Sequence, residues 1–208
     1  MLKKTLSMVA VLALLTGTVN ARGMKKNENY GHFKQQKQEA KHHGHKWQHR
    51  IDKNDLIDTL TNGKITDAVQ ADLNYMIEEE KVARDVYATL AKTSGERVFL
   101  NITKSEQKHV DALKSLFEKY GIEVPVSLDD VGHFENETLQ AMYDDLVAQG
   151  AASREDALEV GVIVEETDIE DIQKILDAGV PSDFAKVYGN LLRGSYKHLD
   201  AFNKQLSK

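Results

Sequence analysis

From Asp55 to the end of the chain, apolar residues recur every three or four positions, and no stretch alternates apolar and polar residues for long. This is the period of an amphipathic α-helix and not of a β-strand. Gly, Pro and Ser residues divide the pattern into segments. We therefore predict an all-α chain, with four long helices and a short extra helix in the connection between the second and the third. The long helices are predicted over residues 66–92, 98–120, 153–178 and 184–205 and the extra helix over 137–149, and a further short helix, 55–61, is predicted ahead of them.

Each long helix carries a seam of residues, spaced three and four apart, that is apolar at both ends and polar only near its middle. The seams are Leu73, Met76, Glu80, Ala83, Tyr87, Leu90; Phe99, Ile102, Glu106, His109, Leu113, Leu116; Leu158, Gly161, Glu165, Asp168, Ile172, Ile175; and Phe184, Tyr188, Leu191, Ser195, His198, Phe202. Four seams with polar centres predict that polar groups from all four helices meet at one level of the core.

Such a convergence has to be compensated, because burying an unpaired carboxylate costs several kcal/mol. A cation bound by carboxylates and imidazoles would compensate it. Glu106 and His109 stand three residues apart, which places both side chains on one helix face. The pattern therefore indicates a metal site in the core.

An internal repeat supports two half-sites. Residues 108–113 (KHVDAL) reappear as 197–202 (KHLDAF), and 77–80 (IEEE) are echoed by 163–166 (IVEE). The second echo leaves a shift of one residue open, so either Glu165 or Glu166 could face the core.

The residues at these positions resemble the ferritin-like superfamily of di-iron carboxylate bundles. Those proteins take a Glu from the first and third helices and Glu-x-x-His from the second and fourth. Glu80 followed by Tyr87 is similar to the first helix of bacterioferritins, Glu106 to His109 match the second-helix motif, and Gly161-x-x-x-Glu165 is similar to the third helix of rubrerythrins. Residues 78–87 and 191–199 resemble more narrowly a bacterial and archaeal ferritin-like domain family of unknown function.

The resemblance implies metal ligands at Glu80, Glu106, His109, Glu165 or Glu166, and His198, with Tyr87 beside them. The sequence departs from the pattern at Ser195, where the fourth helix should carry a Glu. Asp168, one turn beyond Glu165, is a candidate for the missing oxygen ligand.

We expect one or two iron ions, with manganese or zinc as alternatives, and chemistry of oxygen or peroxide follows from the resemblance. The other reading is a non-catalytic envelope protein whose polar core is a hydrogen-bond network and whose His-rich segment captures metal or a partner. The sequence does not decide whether the protein is an enzyme, and a homo-oligomer is compatible with it.

The first 53 residues differ in composition from the rest. Residues 1–21 have Lys3 and Lys4, a short apolar run and small residues before a cleavage point after Ala21, as in a signal peptide. Residues 22–53 hold five of the eight His and nine Lys or Arg against three Asp or Glu, a net +6, and we expect a disordered His-, Lys- and Gln-rich tail. We predict an exported protein, periplasmic or secreted, without a membrane span once the signal is cleaved.

The charge of the remainder argues against one class of partner. Residues 54–208, the predicted bundle domain, carry 16 Lys or Arg against 30 Asp or Glu, a net −14. Binding to nucleic acid relies on a basic face that neutralises phosphates. We therefore expect metal ions and not nucleic acid as partners.

Overall fold

The computed structural model describes residues 64–208, which form five α-helices and no β-strand in that range. An all-α chain is thus confirmed, and the observed helices begin and end within two residues of the predicted ones. The predicted signal peptide, tail and short helix over 55–61 lie outside the described residues. The helices are α1 (Asp67–Ser94), α2 (Arg97–Tyr120), α3 (Glu137–Gly150), α4 (Arg154–Ala178) and α5 (Ser182–Leu206), with a 3-10 turn at Val126–Asp129.

Local sequence sets the helix ends. The side chains of Thr66, Asn136 and Ser153 accept hydrogen bonds from backbone N–H groups of the first turns of α1, α3 and α4, which satisfies donors that have no partner within the helix. Gly95 and Gly121 follow α1 and α2 in the left-handed conformation, at φ of 69° and 65°. Glycine adopts this conformation without a steric penalty, so both helices stop there.

The long helices pack as two hairpins. α1 lies along α2 and α4 along α5, and the hairpins meet through α1 with α4 and α2 with α5, while α3 packs on α1 and α4. Every residue of the four predicted seams is buried. The seams therefore face one core, and their polar centres come together in it.

None of the helices within residues 64–208 combines the length and the apolar character that crossing a membrane requires.

A buried ionic cluster that the sequence analysis did not predict joins α1 to the connection before α3. Lys81 and Asp85 are fully buried, and the ammonium of Lys81 donates to Asp85 at 2.7 Å and to the backbone oxygens of Asp130 at 2.7 Å and His133 at 2.9 Å. Asp85 also accepts a hydrogen bond from the backbone N–H of Gly132 at 2.9 Å. The connection is thus tied to α1 by charge-assisted hydrogen bonds.

Arg84 completes this cluster. Its guanidinium donates to Asp85 at 2.8 Å, to the backbone oxygen of Leu128 at 2.7 Å and to the side chain of Gln107 on α2 at 2.8 Å. Asp85 therefore forms ion pairs with two basic side chains in the interior.

We expect Asp85→Asn to destabilise the fold by about 3–5 kcal/mol, because it removes the carboxylate that the buried side chains of Lys81 and Arg84 both contact. Chemical denaturation of the full chain measures the loss. The control is Asp200→Asn, the same change in an exposed pair with Lys204, which should leave the denaturation midpoint nearly unchanged. Equal effects of the two substitutions would contradict the assigned role of Asp85.

Candidate metal centre

The polar centres of the four seams form one buried cluster of carboxylates and imidazoles. α1 contributes one acid, α2 an acid and an imidazole, α4 an acid, and α5 an imidazole. The exposed fraction is 1–2% for the three acids and 8% for the two histidines. These residues are Glu80, Glu106, His109, Glu165 and His198.

The first group consists of Glu80, Glu106 and His109. Nδ1 of His109 lies 3.1 Å from Oε2 of Glu80 and 2.8 Å from Oε2 of Glu106. Glu106 and His109 are one turn apart on α2, so the spacing noted in the sequence aims both at the same point. α1 adds its carboxylate from the neighbouring helix.

The second group consists of Glu106, Glu165 and His198. Nδ1 of His198 lies 2.8 Å from Oε1 of Glu106 and 3.5 Å from Oε1 of Glu165. The hydroxyl of Tyr87 donates to the same Glu165 oxygen at 2.7 Å. Glu106 therefore belongs to both groups and presents one oxygen to each imidazole.

Charge in the cluster centres on Glu106. Burial alone would raise its pKa, but the charge and close approach of the His109 and His198 imidazoles lower it to about 2. Burial likewise opposes the charged imidazoles, yet the surrounding carboxylates raise the pKa of His109 to about 11 and of His198 to about 10. At neutral pH and without metal, a carboxylate thus stands between two imidazolium ions.

The outer carboxyl groups behave differently. Burial is the main cause that raises the pKa of Glu80 and of Glu165 to about 8, against the attraction of the adjacent imidazoles. Burial, with the charges of Glu80 and Glu79, also raises the pKa of Asp168 well above its usual range. The cluster has more acidic groups than its two imidazoles can neutralise, so protons remain bound to it.

Ser195 and Asp168 lie beside the two groups and outside both. The Ser195 hydroxyl donates to Oδ2 of Asp168, while Oδ1 of Asp168 is buried and has no hydrogen-bond partner within residues 64–208. Asp168 thus lies on the side of the core where α5 carries the hydroxyl of Ser195 and not a carboxylate.

Burial distinguishes the two candidate acids of α4. Glu165 is 2% exposed and faces the imidazole of His198, whereas Glu166 is exposed and belongs to neither group. One residue along a helix rotates a side chain by about 100°, so only one of the two can point into the core. Of the two alternatives, Glu165 is thus the acid that α4 brings into the cluster, and Glu166 lies outside it.

The donor set fits a metal ion. In each group three ligand atoms lie within 4.8 Å of one another. Oε1 of Glu80 has no hydrogen-bond partner among the described residues, and Oε1 of Glu106 and Nδ1 of His198, though 2.8 Å apart, are not aligned as a hydrogen bond. Carboxylate oxygens and imidazole nitrogens suit iron, manganese and zinc.

Sequence reasoning missed several further buried residues of these helices. Glu79 on α1 and Asp171 on α4 are buried acids, and Gly194 on α5 lies against the His109 ring. The seam pattern gave no signal for them, because it follows a single line along each helix. The one available signal was the run of three acids at 78–80, which places further carboxyl groups beside Glu80 on α1.

We expect the metal-free chain to lose stability between pH 6 and pH 9. Folding raises the pKa of Glu80 and Glu165 from about 4.5 to about 8, so their contribution is complete below pH 4.5 and is lost as the pH rises through 8. His109 and His198 act in the same direction, with losses that continue above pH 9. Thermal unfolding in a chelator measures the change.

The matched control is the double variant Glu80→Gln and Glu165→Gln, which removes the two carboxyl groups that titrate in this range. Its melting temperature should fall less over the same pH interval. A wild-type melting temperature that rises from pH 6 to pH 9, or an equal fall in the variant, would contradict the assignment.

Residues 70–208 match a protein family described as an uncharacterized protein domain, DUF2202. The uncharacterized protein MJ0754 of Methanocaldococcus jannaschii is 41% identical over 153 residues, which are 74% of this chain and 83% of that protein. The crystal structure of hypothetical protein MJ0754 from Methanococcus jannaschii DSM 2661 is similar with a TM-score of 0.67 and 43% sequence identity, over 69% of this chain and 82% of that one. The chain therefore belongs to the DUF2202 family.

Proposed function

We propose that this protein is a ferritin-like metal-binding protein whose centre lies between its two helical hairpins. One observation carries the proposal: Glu106 is shared by two buried groups, each of which has an imidazole and a further carboxylate. A bridging carboxylate between two histidine-containing groups is the arrangement of di-metal bundles. Iron is the favoured metal by resemblance, with manganese and zinc as alternatives.

Each residue of the cluster would have a defined role as a metal ligand. Glu80 and His109 would hold one ion, Glu165 and His198 a second, and Glu106 would contact both. Asp168 is a further buried acid on α4, and its Oδ1, which has no hydrogen-bond partner among the described residues, makes it an additional candidate ligand on the side where Ser195 replaces a carboxylate. Bound iron would supply one-electron chemistry toward oxygen or peroxide.

The chain's own residues would prepare the site for that chemistry. His109 and His198 hold protons in the metal-free state and must release them before either nitrogen can act as a ligand. Tyr87 fixes one oxygen of Glu165 by its hydrogen bond. The rings of Phe99 and Phe202 pack against Tyr87 with centroids 5.8 Å and 5.2 Å away, so this flank of the centre is apolar and excludes water.

A second candidate function rests on the metal-free electrostatics. Two imidazolium ions already balance Glu106, so the cluster can persist as a polar network that specifies how the helices pack. In that case the bundle is a non-catalytic envelope protein. The two functions differ in metal content, which makes them separable by one assay.

Two further parts of the proposal, export of the protein and metal capture by its His-rich segment, are supported by the sequence alone. We propose that the protein acts outside the cytoplasm, after cleavage following Ala21. His42, His43 and His45 would capture a divalent metal, since clustered imidazoles bind such ions.

We expect Glu106→Gln to remove nearly all metal from the core, because the amide weakens both groups at once. Glu80→Gln should remove only the part held by the first group. Metal content of the untagged full chain is measured after reconstitution and dialysis. Replacing His42, His43 and His45 by Ala in every variant removes metal captured by the His-rich segment. Unchanged content in Glu106→Gln would contradict the shared ligand, and a metal-free wild type would favour the polar network.

We expect Ser195→Glu to destabilise the metal-free chain and to increase its stabilisation by Fe(II) or Mn(II). The new carboxylate would stand three residues from His198, as Glu106 stands from His109, but it would crowd Asp168 in a buried site. Thermal unfolding with and without metal measures both effects. Ser195→Gln is the control, with the same size and no charge. If metal stabilises both variants equally, a carboxylate at position 195 does not contribute to a metal site.

A further inference from the structure

Gly194 lies in the middle of α5, at the contact with α2. An added Cβ at this position would stand 2.5 Å from Nε2 and 2.7 Å from Cε1 of His109, closer than side-chain atoms approach one another. The backbone at Gly194 is helical, and positive φ angles within the described residues occur only at other glycines. The missing side chain is therefore explained by the imidazole and not by backbone conformation.

Glycine at such a position has a cost that needs a reason. In the interior of a helix, Gly is less favourable than Ala by about 1 kcal/mol. Gly189 on the same helix shows the contrast, because a Cβ there would meet only the end of the Arg193 side chain, at 3.8 Å. At Gly194 the neighbour is the buried ring of His109, whose Nδ1 contacts Glu80 and Glu106.

The position of the His109 ring follows from these two contacts. Its Nε2 edge rests on Gly194, and its Nδ1 faces Glu80 at 3.1 Å and Glu106 at 2.8 Å. A side chain at residue 194 would have to push the ring along α2 or toward those carboxylates. His198 is less affected, because its Cε1 lies 3.8 Å from the same hypothetical Cβ, an ordinary contact.

We infer that Gly194 is a positioning residue of the first group: it leaves the space in which the His109 imidazole sits with Nδ1 on Glu80 and Glu106. The inference rests on the proposed function only where it concerns metal. It makes the two groups unequal, since a side chain at residue 194 would overlap the imidazole of the first group directly and reach the second only through the shared Glu106 and the stacked His198 ring.

A mutant cycle on the metal-free full chain tests the positioning role. Gly194→Ala should lower the melting temperature by roughly 3–10 °C, as expected for an overpacked core. In a His109→Ala background the same substitution should have no such effect, because the ring it meets is gone. Gly189→Ala is the control and should leave the melting temperature equal or higher in both backgrounds. An equal loss from Gly194→Ala in both backgrounds would overturn the inference.

Two further readouts separate positioning from stability. The imidazole NMR resonances of His109 should shift in Gly194→Ala by more than those of His198, whose ring stacks on His109 with centroids 5.6 Å apart, and Gly189→Ala should move neither. After reconstitution with Fe(II), Gly194→Ala should retain about half of the wild-type core metal. Unmoved His109 resonances would overturn the inference, whereas a wild type without metal would overturn the proposed function and leave the cycle and the resonances as the test of Gly194.

Discussion

The carboxylate of Glu106, buried between two imidazoles, is the interaction on which the centre of this protein depends. A buried carboxylate without compensation is too costly to persist, and here His109 and His198 approach it to 2.8 Å from opposite hairpins. The two hairpins are thus joined at their core by charge as well as by apolar packing. In the metal-free state the compensating charge is a proton on each imidazole.

The surrounding acids show that protons on the two imidazoles do not compensate the whole charge of the cluster once every carboxyl group is ionised. Burial raises the pKa of Glu80 and of Glu165 to about 8, and the two imidazoles do not supply enough positive charge to offset it. A divalent cation in each group would supply that charge and allow every carboxylate to ionise. The same groups that destabilise the empty core at high pH would then become its ligands.

The features of this structure that could be predicted from the sequence are those that depend on residues close together in the chain. Helix ends and seams were predictable, because caps such as Ser153 and the three-to-four spacing are properties of short segments. The pairing of Glu106 with His109 was predictable for the same reason. The cluster of Lys81, Arg84 and Asp85 was not, because its partners are backbone oxygens more than forty residues away. Nor was Gly194, whose role depends on a ring from another helix.

Counting protons released on metal binding tests the central claim most directly. Calorimetric titration of the full chain with Fe(II) under anaerobic conditions at pH 7, in buffers of different ionisation enthalpy, gives that number. The His42, His43 and His45 to Ala variant removes the contribution of the His-rich segment. If metal replaces the protons of His109 and His198, about two or more protons leave per chain. Saturable binding without proton release would contradict the account, because the imidazoles would then not be the ligands.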